Sequence, residues 1–162
     1  MLWNRTVGKG PNLVLLHGWA FNSEIFHELV SKYQNDYCIT VIDLPGHGRS
    51  PDIEGNIEDW CKEIIRLIPE KSILLGWSLG GLLSIFIANQ MKLKELILVA
   101  ASPCLVNNDN WDFGISHEVF DQFAHNLKVD STKALKRFVS LQSKDKSRIQ
   151  KLHNSIQNYP AS

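Results

Sequence analysis

The chain has 162 residues, 44% apolar and 21% charged, with 17 basic side chains against 17 acidic ones. That length suits one domain with a real core, and the even charge argues against a dedicated nucleic-acid binder. No apolar run approaches the ~20 residues that a membrane-spanning helix needs, and Met1-Leu2-Trp3-Asn4-Arg5 has no basic-then-apolar leader pattern.

In chain order, Leu2 to Val7 is expected as a first strand and Leu13 to Leu16 as a second, ending at His17-Gly18-Trp19. From Ser23 a helix is expected, because Ile25, Phe26, Leu29, Val30 and Tyr33 recur on one face. Cys38 to Leu44 reads as a third strand, closed by Asp43-Leu44-Pro45-Gly46-His47-Gly48-Arg49-Ser50. A second amphipathic helix runs from Ile57 to Ile68 and stops at Pro69. Ile73 to Leu75 is a short strand, followed by a helix from Leu82 to Met91, and Glu95 to Ala101 reads as a fifth strand. Apolar strands alternating with helices indicate an α/β fold with a mostly parallel sheet.

After Ser102-Pro103 the pattern turns helical. Val119, Phe120, Phe123 and Leu127 mark one helix, Leu135, Phe138 and Val139 another, and a more polar one runs from about Ser147 to Asn158. Residues 1–104 are therefore expected as an α/β core and 105–162 as a helical cap, with Phe120, Phe123 and Phe138 in the cap core. Between Lys128 and Lys151 lie eight basic residues against two acidic ones.

The stretch that carries chemistry is Gly76-Trp77-Ser78-Leu79-Gly80, a match to G-x-S-x-G between a strand and a helix. A serine pushed out on so sharp a turn leaves no room for side chains two residues away on either side, which glycine satisfies. The helix that follows aims its positive end at the turn. Cys38, Cys61 and Cys104 are widely spaced and read as reduced thiols of a cytoplasmic protein, Cys38 and Cys61 buried. His17 reads as structural rather than as a ligand. Asp43 sits where a dinucleotide fold places its ribose-binding acid, but no G-x-G-x-x-G precedes it. Without a P-loop or an H-E-x-x-H, neither a cofactor nor a metal is expected.

Leu15-Leu16-His17-Gly18-Trp19, Gly76-Trp77-Ser78-Leu79-Gly80-Gly81, Ala101-Ser102-Pro103-Cys104 and Arg137-Phe138-Val139-Ser140-Leu141-Gln142 together resemble the α/β-hydrolase superfamily. Within it, they are most similar to the pimeloyl-acyl carrier protein methyl ester esterases of biotin synthesis. The resemblance implies that the strand ending at His17 lies beside the one ending at Ser78, with a crevice between their ends. It makes Ser78 the nucleophile and the N–H groups of Trp19 and Leu79 the oxyanion hole. It also places Trp19 in the acyl-pocket wall and faces Phe138 and Gln142 to the substrate. The implied partner is acyl carrier protein bearing a pimeloyl methyl ester, docked on a basic face that includes Lys133, Arg137, Lys146, Arg148 and Lys151.

The resemblance covers the front part of such an enzyme. In this fold the acid and the histidine follow the serine after later strands, so the chain is expected to lack its catalytic Asp, His and C-terminal strands. His117, His125 and His153 fall on cap helices, where a base is not expected. The strand at Leu96 to Ala101 should then be an open, aggregation-prone edge. Another small α/β hydrolase, such as a short-chain esterase or lactonase, is the alternative, as is a non-catalytic acyl- or carrier-binding remnant.

Overall fold

The structure, a computed structural model, describes residues 1–158; the last four residues assigned to the cap lie outside that range. Five strands form one sheet: β1 (Asn4–Val7), β2 (Asn12–Leu16), β3 (Cys38–Ile42), β4 (Ile73–Trp77) and β5 (Glu95–Val99). Their order across the sheet is β1-β3-β2-β4-β5, with β1 antiparallel to β3 and every other pair parallel. Chain order reverses at β2, which has β3 on one side and β4 on the other. A crevice opens at such a switch point, outside the carboxyl ends of the strands.

Side-chain alternation on β2 builds two cores. Val14 and Leu16 pack with Leu74, Cys61, Ile64, Leu83 and Ile87, contributed partly by helices α2 (Ile57–Ile65) and α3 (Leu79–Ala88). Leu13 and Leu15 face the opposite way, onto Phe26 and Val30 of a 3-10 turn (Ser23–Phe26) and helix α1 (His27–Tyr33). Helices therefore cover both faces of the sheet, as a buried parallel sheet requires.

Several boundaries differ from the sequence-based expectation. The helix expected from Leu82 begins at Leu79, because the N–H groups of Gly81 and Leu82 close directly onto the Ser78 carbonyl, at 2.9 and 3.0 Å. The third strand stops at Ile42: the Asp43 N–H bonds to Trp3 and the Leu44 N–H to the His17 ring. The fifth strand ends at Val99, where Ala100 turns into the left-handed region at φ 45°. The segment from Ser23 opens as a 3-10 turn before α1, with the Asn22 side chain accepting from the Glu24 N–H. Cys38, expected to be buried, is half-buried at the open start of β3, while Cys61 is buried and all three thiols are free.

Among the described residues β5 is an edge strand, and its residues Leu96 to Val99 are 38–43% exposed. Beyond it, residues 105–116 form a turn-rich connection with two isolated bridges, Val106 to Ile115 and Asn108 to Trp111, which the sequence did not mark. Helices α4 (His117–Val129), α5 (Ser131–Leu141) and α6 (Lys146–Asn158) follow. Ser116 caps α4 and Asp130 caps α5 through side-chain oxygens. The helices meet the core through Phe21, buried with Val139 and packed by Trp77, Phe138, Ile149 and Leu152. Phe120, expected in the cap core, is 40% exposed because it lies on the outer face of α4. No helix among the described residues is long and apolar enough to cross a membrane.

Candidate active site

β4 runs into α3 through a single residue, Ser78, whose φ of 53° and ψ of −114° no unstrained L-residue adopts. Such a conformation costs on the order of 1–3 kcal/mol and persists only where the surroundings hold it. Here the Ser78 N–H donates to the Val99 carbonyl at 3.0 Å. The flanking glycines are required by space: a Cβ at Gly76 would collide with the Gly80 carbonyl and Ser84 Oγ, and one at Gly80 with the carbonyl oxygens of Leu16 and His17. The Ser78 hydroxyl makes no hydrogen bond among the described residues.

The strand ends that the family resemblance implies to be neighbours are in contact. A Cβ built on Gly18 would lie 3.3 Å from Ser78 Cβ and 3.2 Å from the Trp77 ring, so only glycine passes there comfortably. Gly18 opens a tight turn closed by the Phe21 N–H on the Gly18 carbonyl at 3.2 Å, with Ala20 at φ 67°. As the first helical residue, Leu79 has no intrahelical acceptor for its N–H. The Trp19 N–H likewise donates to no group among the described residues. Two donors and a hydroxyl thus stand at adjacent strand ends, at the amino end of a ten-residue helix.

Two buried polar side chains anchor this loop. The His17 Nε2 accepts from the Leu44 N–H at 2.9 Å, and Nδ1 lies 2.8 Å from the Gly18 carbonyl, which can only accept. Burial lowers the His17 pKa to about 4, only partly offset by the bond to Gly18. Asp43 accepts from the Ser23 N–H at 2.8 Å and from the Arg49 N–H and Nε at 3.0 and 2.9 Å. Burial alone would raise the Asp43 carboxyl, but the donors on Arg49 and Ser23 hold it below the usual carboxylate range. Arg49 in turn reaches Glu24 at 3.2 Å and stacks 3.3 Å from the Trp3 ring centroid. His47, 5.5 Å ring to ring from His17, bonds the Pro45 carbonyl through Nδ1, and burial depresses its pKa.

Of the cap residues singled out from the sequence, Phe138 comes to the site and Gln142 does not. The Trp19 ring packs edge-on against Phe138 and Phe123, at 5.1 and 5.3 Å between centroids. Phe21 adds contacts to Trp77 at 4.9 Å and Phe138 at 6.4 Å. Gln142 is exposed, its amide turned back onto the Phe138 carbonyl at 3.2 Å. Phe123 and Phe138 also line a groove of about 360 Å³ between α4 and α5, together with Val119, Ala134, Arg137 and Leu141. Phe123 was expected only as cap core, Trp77 fills a variable position of G-x-S-x-G, and Phe21 carries no motif; only their aromatic character could have flagged them for the site.

His117 and His125 are exposed on α4, and neither they nor His153 on α6 hydrogen-bonds Ser78. Lys133, Arg137, Lys146, Arg148 and Lys151 are all exposed on α5 and α6, with Arg148 3.8 Å from Asp145. Among the described residues no three His, Cys, Asp or Glu side chains cluster as a metal site would require.

Residues 13–151 match the family model described as the alpha/beta hydrolase family. The chain belongs to that family. This α/β hydrolase is 34% identical over 168 residues to the pimeloyl-[acyl-carrier protein] methyl ester esterase of Pseudoalteromonas atlantica, covering 98% of this chain and 65% of the relative. It is 38% identical to the enzyme of that name from Aeromonas hydrophila, over 84% of this chain and 55% of the relative. For the one from Nitrosomonas europaea the identity is 37%, over 89% and 60%. The chain thus spans between 55% and 65% of the length of these three relatives. Among solved structures it superposes on an esterase from Exiguobacterium antarcticum with a TM-score of 0.88 at 23% identity, over 99% of this chain and 65% of that one. A bromoperoxidase from Bacillus anthracis gives 0.86 at 17%, with the same coverage. At such identities these two likenesses speak for the fold alone.

Proposed function

We propose that this α/β hydrolase carries the nucleophile, oxyanion hole and cap of a cytoplasmic serine carboxylesterase that cleaves the methyl ester of a pimeloyl group borne on acyl carrier protein. The observation that carries it is Ser78, held in a strained strand-to-helix turn against Gly18, with Phe138 packed on the neighbouring Trp19 ring. Ser78 Oγ adds to the ester carbonyl while the Trp19 and Leu79 N–H groups receive the charge on its oxygen. The intermediate collapses with loss of methanol, which takes up the serine's proton, and water then releases the acid from the acyl-enzyme. The Trp19, Phe138 and Phe123 rings suit an aliphatic chain passing between cap and core.

The general base and its carboxylate come from polypeptide outside residues 1–158 in this proposal. Supporting it, both ring nitrogens of His17 are in backbone bonds, and no other histidine among the described residues bonds Ser78. The exposed Lys133, Arg137, Lys146, Arg148 and Lys151 suit an acidic carrier protein, steering association by charge rather than by bidentate pairing. The names of the curated relatives support the same substrate.

The test is methanol release and acylation of Ser78, followed by mass spectrometry, with pimeloyl-acyl carrier protein methyl ester as substrate. With the polypeptide that carries the general base present, wild type should acylate, Ser78→Ala should not, and carrier binding should weaken steeply with salt. Binding that survives Ser78→Ala in a chain that never acylates favours the carrier-binding remnant. Salt-independent binding would exclude the basic face.

A further inference from the structure

We infer that His17 is a positioning residue for the oxyanion hole, acting through the peptide unit that joins Gly18 to Trp19. The carbonyl of Gly18 and the N–H of Trp19 belong to one plane, and in a trans peptide they point in opposite directions. No peptide in the described chain is cis. Fixing the carbonyl therefore fixes the direction in which the Trp19 N–H leaves.

Two donors hold that carbonyl. One is the Phe21 N–H, at 3.2 Å, which closes the turn. The other is the His17 ring, at 2.8 Å through Nδ1. Which nitrogen of His17 carries the proton is decided by the neighbouring strand end: Leu44 donates its N–H to Nε2 at 2.9 Å, so Nε2 must be the bare nitrogen and Nδ1 the protonated one. The carboxyl end of β3 thereby selects the tautomer, and the tautomer orients the peptide beside Ser78. Donation to the Gly18 oxygen also polarises the peptide and makes the Trp19 N–H a better donor. At the far end of the loop, the Ser23 N–H is tied to Asp43 at 2.8 Å, so the segment is pinned on both sides of Trp19. His17 touches neither substrate nor Ser78 in this scheme. The inference rests on the oxyanion-hole role given to Trp19 above.

Two replacements separate positioning from mere support. In His17→Asn the amide N–H₂ sits near the place of Nδ1 and keeps the bond to Gly18, while Leu44 loses its acceptor. In His17→Gln the amide reaches toward Leu44 and the Gly18 bond is lost. The Trp19 N–H direction, read from residual dipolar couplings, should stay at its wild-type value in His17→Asn and change in His17→Gln. Acylation of Ser78 by p-nitrophenyl butyrate should fall by about tenfold or more in His17→Gln only, short of the ~10²–10³ lost when an oxyanion donor is removed outright. Equal behaviour of the two variants overturns the inference. Should neither fold, the imidazole ¹⁵N shifts of wild type decide it, since an Nε2–H tautomer is incompatible with it. A wild-type protein that p-nitrophenyl butyrate never acylates, with the polypeptide that carries the general base present, speaks against the esterase function, while the couplings and tautomer still decide the role of His17.

Discussion

Acid should unfold this protein through His17 before its carboxylates are titrated. The ring is fully buried and neutral, and its Nε2 faces an N–H donor, so a second ring proton would set two donors against each other. Its pKa falls from 6.5 to about 4 in the fold, burial being the main cause. The unfolded chain therefore binds this proton near pH 6.5 and the native state only near pH 4. Stability is complete above pH 6.5 and declines as pH falls through that window. At ~1.4 kcal/mol per pKa unit, the loss between pH 7 and pH 4 is roughly 3 kcal/mol. His47 shifts the same way, and Asp43, whose pKa is held down, adds its own loss as pH falls below the ordinary carboxylate range. Urea unfolding followed by tryptophan fluorescence reads the effect as a midpoint drop of roughly 1–3 M, given typical slopes for small domains. His17→Gln, which cannot titrate, should keep most of its midpoint down to pH 5. A wild-type midpoint that is flat from pH 7 to pH 5, or an equal drop in His17→Gln, would refute the linkage.

Gly80→Ala should cost well over 2 kcal/mol or prevent soluble expression, since its Cβ would meet two backbone carbonyls that have nowhere to move; near-wild-type urea stability would contradict the packing described. Leu98→Lys on the open edge should reduce self-association, measured by light scattering on a sizing column. A wild-type chain that is monomeric at high concentration would show that the edge is protected in solution.

The strands themselves and the elbow at Ser78 were legible from local pattern, as apolar runs and a serine with paired glycines between strand and helix. The strand order around β2 and the nearness of Trp19 came instead from the family resemblance, since no local pattern says which strand lies beside which. The loop clamps were not. His17 meets Leu44, and Asp43 meets Ser23, across 27 and 20 residues, and no periodicity marks a side chain whose partner is a backbone group in another loop. Cap residues were readable as helical but not as inward or outward. Phe138 and Gln142 share a helical face by spacing, yet Gln142 sits at the C-cap, where its amide is drawn to the unsatisfied Phe138 carbonyl. Phe120 and Phe123, three apart, differ in burial because only Phe123 reaches Trp19.

The bond from the Ser78 N–H to the Val99 carbonyl gives the outermost strand an unexpected responsibility. Val99 is the last residue of β5, and an edge strand frays from its ends. Each excursion that lifts Val99 off the sheet releases the Ser78 backbone from one of the contacts that keep it at an unfavourable angle. The sharpness of the turn at Ser78 is thus rented from a neighbour that has one free flank among the described residues. Anything that packs along that flank stiffens Ser78 from a distance by quieting β5, and on the proposed function it would tune the nucleophile without touching the substrate.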